Sequence, residues 1–353
     1  NYPPAHPHCR SSVAPVIDGL VREGLTRSAR DKDGKSTYVP RDMKYAEWKK
    51  WQEDGAPADV KAWRAMRAAE DARGTPTLSI DPSAPTLTKF EEHRKEYIKG
   101  NGSYISKVDQ ETQAKFLEMQ KAVLDQHELA IQVKGENAIK ILEEGRFKNQ
   151  FETGTSGGYL GTDAARNSRI DASQNLFGWE GNELKPYEYE KYGYLANKDH
   201  NAGIKSNPAA QYGDITFVMN KEQLAGRVTY TMDDSLSPAK EKLVVAAPVD
   251  TPDLLTVPFS STENVEKYVS RTLQTYYDDF KRTGEAPDPT KFVGVDSNYI
   301  ELQYHGDIRL EHVQSVYFPY EAFQKDPIRL KLKELLDAKG IPWEEIKPKF
   351  NPR

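Results

Sequence analysis

An α+β fold is predicted for the larger part of this chain, and three observations predict it. Short segments rich in β-branched and aromatic residues recur after residue 145. Helical spacing of apolar residues precedes them and returns near the end of the chain. The two kinds of segment do not alternate as strand–helix–strand units, which argues for a mixed or antiparallel β core with flanking helices over a doubly wound parallel sheet.

The elements are read in order. Phe116, Leu117, Met119 and Val123 lie along one face of a helix over 108–123; Gly135 interrupts the pattern, and 138–144 resumes it before Gly145. Strands are predicted at 212–219, 227–231, 243–247, 299–304 and 313–318, with a helix over 262–282 between the third and fourth. A closing helix over 327–339 is stopped by Gly340. The expected organisation is an extended amino-terminal segment at 1–54, a partly helical linker at 55–105 and an α+β domain at 106–353. The linker is Ala-, Pro- and charge-rich, with a helical piece at 60–72 and no core of its own.

Composition excludes several classes. Lys and Arg number 49 against 54 Asp and Glu, an acidic balance that argues against a general nucleic-acid binder. The single cysteine, Cys9, allows no intrachain disulfide, and no apolar run is long enough to span a membrane. Asn1 is not an initiator Met and Tyr2-Pro3-Pro4 is no signal peptide, so the chain reads as a piece of a longer one.

The segment Pro3-Pro4-Ala5-His6-Pro7-His8-Cys9-Arg10-Ser11 resembles the end of the phage Mu protein F-like head-morphogenesis domain. Ala29-Arg30-Asp31, Tyr38-Val39-Pro40 and Asp42-Met43-Lys44-Tyr45-Ala46-Glu47-Trp48 resemble the tail that often follows it. The resemblance covers about 50 residues. It implies a minor head protein near the portal, with portal and capsid proteins as partners and the virion interior as its location. His6, His8 and Cys9 are possible zinc ligands, but adjacent His8 and Cys9 fit one ion poorly, and a Pro-locked turn is the preferred reading. The run at 31–34 is a turn without the later ligands of a calcium loop.

Three patches carry possible chemistry. Arg146 heads a stretch that runs into Gly154-Thr155-Ser156-Gly157-Gly158, which is either a tight surface turn or a loop whose backbone N–H groups approach a ligand. Tyr212–Thr216 and Arg227–Ser235 offer hydroxyls at alternate strand positions, notably Thr229 and Thr231. Tyr299, Glu301, Gln303 and His305 share one strand face opposite Ile300, Leu302 and Tyr304, making a solvated surface or the floor of a cleft.

The order of these patches resembles the ADP-ribosyltransferase fold, with its early cation, middle hydroxyl strand and late Glu. Tyr299-Ile300-Glu301-Leu302-Gln303-Tyr304 followed by 313–318 resembles the late strand pair of the poly-ADP-ribose polymerase branch. The resemblance implies NAD as substrate and Glu301 as the catalytic carboxylate. It implies Arg146 on phosphate or ribose, Thr155, Ser156 and Gly157 on the nicotinamide amide, and Thr229 and Thr231 supporting Glu301. Arginine-targeting members carry Glu or Gln where Tyr299 stands, which leaves the host acceptor open. Such an effector would act in the host bacterial cytoplasm. Two rivals remain: a non-enzymatic head component, and a nuclease using His200, His305 or Glu152 as acid and base.

Overall fold

The computed structural model describes residues 26–30, 36–40, 84–105, 107–155, 160, 162–180, 184–197, 209–258, 265–286, 300–320 and 326–347. The chain divides into two units, Asn1–Pro76 and Thr77–Arg353. In the first, β1 (Thr26–Arg30) pairs antiparallel with β2 (Ser36–Pro40), with Ser28 opposite Tyr38. The head-like motif at 3–11, the turn at 31–34 and the helical piece at 60–72 lie outside the described residues.

The second unit takes in residues expected as linker. A 3-10 turn at Pro85–Leu87 leads into α1 (Phe90–Ile105). Leu87, Phe90, Arg94 and Tyr97 recur every three or four residues and are all buried. Phe90 meets Phe177 with ring centroids 6.0 Å apart, and Arg94 pairs with Asp253 at 2.5 Å while donating to the Ala246 carbonyl. A cation at one position of the buried stripe hides the apolar periodicity, so 84–105 reads as polar although it packs.

The sheet strands are β3 (Glu128–Val133), β4 (Lys191–Ala196), β5 (Ile215–Met219), β6 (Val228–Thr231), β7 (Ala247–Pro248), β8 (Glu301–Tyr304), β9 (Val313–Pro319) and β10 (Trp343–Ile346). They lie side by side as β10-β9-β5-β3-β4-β8-β6-β7, and only β10 runs parallel to its neighbour. Among the described residues the remaining α-helices are α2 (Gln110–Gln126), α3 (Gly135–Glu144), α4 (Gln150–Thr153), α5 (Asp163–Phe177), α6 (Leu236–Lys240), α7 (Val265–Thr283) and α8 (Pro327–Lys339). The domain is therefore α+β with a mostly antiparallel sheet. No helix among the described residues is long and apolar enough to cross a membrane.

The two faces of the sheet differ. One carries Ile131, Leu195, Phe217, Leu302, Tyr304 and Val316 and packs into a single apolar core with α2, α3, α7 and α8. Apolar residues at helical spacing supply the other half, as with Phe116, Met119 and Val123 on α2. Asp109 caps that helix by accepting from the Thr112 N–H at 3.0 Å. The opposite face is polar in its middle and is covered by α5, whose Phe177 meets the His305 ring edge-on at 4.7 Å. Around that contact a second cluster gathers Leu87, Phe90, Leu176, Trp179, Tyr189 and Val244.

Local chemistry sets the approach of β4 to its neighbours. A Cβ on Gly193 would lie 2.2 Å from the Ala130 carbonyl and 2.6 Å from the Tyr304 ring, so only glycine lets β3 come this close. The expected strand at 243–247 forms only at its end: 243–246 is irregular and β7 is two residues long. Pro248 has no N–H to donate, which confines this segment to the edge of the sheet.

Candidate functional site

β8 lies between β4 and β6, so its polar face is flanked on both sides. Glu301 stands opposite Tyr194 on β4 and Thr231 on β6; Gln303 stands opposite Tyr192 and Thr229. Residues opposite one another in an antiparallel pair project to the same face. Register alone therefore collects Glu301, Gln303, Tyr192, Tyr194, Thr229 and Thr231 into one patch.

The hydrogen bonds in the patch form an ordered chain. Ser235, at the start of α6, donates its hydroxyl to Glu301 Oε1, and Gln303 Nε2 donates to the same oxygen at 3.0 Å. Glu301 Oε1 thus accepts two bonds, one from a hydroxyl and one from an amide. Gln303 Oε1 then accepts from the Thr229 hydroxyl at 2.8 Å, while Nε2 also reaches Thr231 Oγ1 at 3.3 Å. With its proton committed to Gln303, Thr229 accepts from His305 Nε2 at 2.9 Å. His305 Nδ1 lies 2.7 Å from the Thr86 hydroxyl. Burial, then Lys191 and Arg227, push the His305 pKa down to about 3, so the imidazole is neutral and Nδ1 accepts from Thr86. Both ring nitrogens are occupied and the ring is buried. That removes His305 as the acid or base of a nuclease.

A second carboxylate adjoins the patch. Glu190 Oε2 accepts from Ser173 Oγ of α5 at 2.8 Å, and Trp179 Nε1 donates to that same Ser173 oxygen at 3.0 Å. Glu190 Oε1 accepts from the Tyr192 hydroxyl at 2.7 Å. Burial pushes the Glu190 carboxyl up, and burial beside Glu190 and Glu301 holds the Tyr192 phenol well above its ordinary value. The charge of Arg169, on α5, also reaches Tyr192. Glu301 is only 5% exposed, whereas Tyr192 is half-buried.

The residues expected from sequence fall into three groups. Glu301, Thr229 and Thr231 come together. Arg146 does not join them: it lies beyond the end of β8, bridged to Arg309, and its guanidinium pairs with Glu152 at 2.5 Å. Phe147, next in the chain, packs edge-on against Phe217 on the apolar side of the sheet. Glu152 is committed to this pair and to the Asn149 N–H, as the closing half of the α4 capping box. Thr155 is exposed just after α4; Ser156, Gly157, Tyr299 and His200 lie outside the described residues. Near Arg146 is Lys191, whose ammonium donates to the Gly306 carbonyl at 2.7 Å and is pushed down to about 8 by burial.

Ser235, Glu190, Tyr192, Ser173 and Thr86 are the members that sequence reasoning missed. Ser235 was within view, as the last residue of the hydroxyl-rich stretch 227–235. Glu190 and Tyr192 carry the same alternation that marks Glu301 and Gln303. Thr86 and Ser173 have no local signal, since only the tertiary fold brings them over the sheet.

Fold and site together define an α+β protein with a carboxylate held in a buried hydroxyl and amide network on the covered polar face of its sheet. The family model described as "Protein of unknown function (DUF3626)" matches residues 124–342, more than half of the chain, and the chain belongs to that family. The match includes every residue of the patch except Thr86. The chain is also similar to two phage-encoded proteins. It is 28% identical over 207 residues to the Gene 2 protein of Mycobacterium phage D29, covering 58% of this chain and 67% of that one. It is 26% identical over 271 residues to the Gene 2 protein of Mycobacterium phage L5, covering 74% and 90%.

Proposed function

We propose that the domain cleaves NAD at the nicotinamide–ribose bond and transfers ADP-ribose, with Glu301 as its catalytic carboxylate. The observation that carries this reading is the anchoring of Glu301 by Ser235 and Gln303 on the polar face. Breaking the bond builds positive charge on the ribose, as in glycoside hydrolysis, and a fixed carboxylate stabilises that charge without reorganising. Thr229 and Thr231 act through Gln303, holding the amide that orients Glu301. Arg146 is committed to Glu152, so the phosphate-binding cation is assigned to the half-buried Arg169, which adjoins the patch. Thr155, Ser156 and Gly157 keep their proposed place on the nicotinamide amide.

The test is nicotinamide release from NAD by the full chain. Glu301→Gln keeps size and one acceptor but removes the charge, so kcat should fall about 100- to 1000-fold. NAD affinity should change little, because the charge acts in the transition state. A Glu301→Gln protein as active as wild type refutes the assignment, and a wild-type protein that leaves NAD intact refutes the reaction.

The motif at 3–11 and the similarity to phage proteins support a phage setting. In it, a minor head protein beside the portal delivers this domain to the host cytoplasm, where a host macromolecule accepts ADP-ribose. Mass spectrometry of purified virions tests the location: peptides from 106–353 should be present.

A further inference from the structure

Glu190 and Tyr192 are not needed to hold Glu301, yet they form a second polar group on the same sheet face. Glu190 takes one hydrogen bond on each oxygen, from Ser173 and from Tyr192. Tyr192 is the half-buried link between that carboxylate and the patch, and stands opposite Gln303. The groups facing the pair are Ser173 and Arg169 from α5, Glu301 from β8, and Lys191 on β4 itself. A phenol bonded to a carboxylate can accept one proton while passing on its own.

We propose that Tyr192 and Glu190 form a proton relay that activates the acceptor, a hydroxyl or water, for attack on the ribose. This rests on the NAD-cleaving reading above. As the acceptor oxygen bonds to C1′, its proton passes to the Tyr192 oxygen and the phenol proton passes to Glu190 Oε1. The C1′–nitrogen bond breaks, and its electron pair leaves with neutral nicotinamide. Glu190 later returns the proton to solvent through Tyr192. Glu301 stabilises the ribose cation and Glu190 receives the proton, so the two carboxylates divide the work. Burial raises the Glu190 pKa, which makes it a better proton acceptor than an exposed carboxylate.

The relay predicts that wild-type kcat falls as pH drops through the Glu190 pKa, since the protonated acid accepts nothing. In Glu190→Gln that acidic limb should disappear and kcat at high pH should fall about 100-fold, with NAD affinity retained. Tyr192→Phe should lower kcat similarly without altering NAD binding. Ser173→Ala removes a bond that favours ionised Glu190, so it should move the limb to higher pH. Nicotinamide release measured across pH on the full chain reads all three. An acidic limb that persists unchanged in Glu190→Gln, with wild-type turnover present, overturns the relay alone. A wild-type protein that releases no nicotinamide overturns the underlying reaction and the relay with it.

Discussion

Acidification should cost this fold more than its carboxylates alone would cost it, because His305 is folded as a neutral ring. The unfolded chain binds a proton on this imidazole near pH 6.5, while the folded ring resists until about pH 3. Between those values the unfolded state holds the extra proton, so stability is complete above about pH 6.5 and is lost as pH falls towards 3. Linkage with these two values gives a loss of about 3 kcal/mol at pH 4 relative to pH 7.5. The structural reasons are the burial of the ring and then the nearby cations Lys191 and Arg227. Urea midpoints of wild type and His305→Gln across pH isolate the effect. The variant should be less stable at pH 7.5, and the gap should narrow or reverse by pH 4. A gap independent of pH, or a His305 ring that titrates near 6.5 by NMR, refutes the proton ordering deduced from Glu301 outward.

Two further outcomes test other parts of the argument. Gly193→Ala should destabilise by about 1–3 kcal/mol in urea unfolding, since its Cβ meets the backbone of β3 and the Tyr304 ring; a neutral result means β3 and β4 are not this close. Arg146→Gln should lower stability by about 1–3 kcal/mol, because Glu152 loses its partner while almost buried. NAD turnover should persist in that variant, and its loss restores Arg146 to the site.

Part of this was readable in the residues. The 299–304 alternation placed Glu301, Gln303 and His305 on one face, because period-two patterning survives wherever one side of a strand meets an apolar core. β5, β6, β9, α7 and α8 were readable for similar reasons. β3 was not: it follows α2 after His127 alone, with no turn residue to separate the two. β4 hides behind Lys191 and Gly193, a buried cation satisfied by carbonyls and a glycine demanded by packing. α5 hides because it covers a polar face. Arg166, Arg169 and Ser173 occupy its inward positions, so no apolar stripe forms over most of its length. Arg146 was misplaced because the stretch it heads reads as a strand, while the structure gives it a single bridge and then a helical turn.

The place of β8 between two antiparallel neighbours has a consequence for how this protein can fail. Moving β8 by one residue would turn Glu301, Gln303 and His305 into the apolar core and send Leu302 and Tyr304 to the polar side. It would bury a carboxylate without partners and break the contacts with Ser235, Thr229 and Thr86 together. A chain with its core in place therefore has Glu301 in place too, and the two cannot be lost or gained separately. Errors here are all-or-none: a misregistered molecule should be rejected as unfolded, and should not persist as a folded but silent copy.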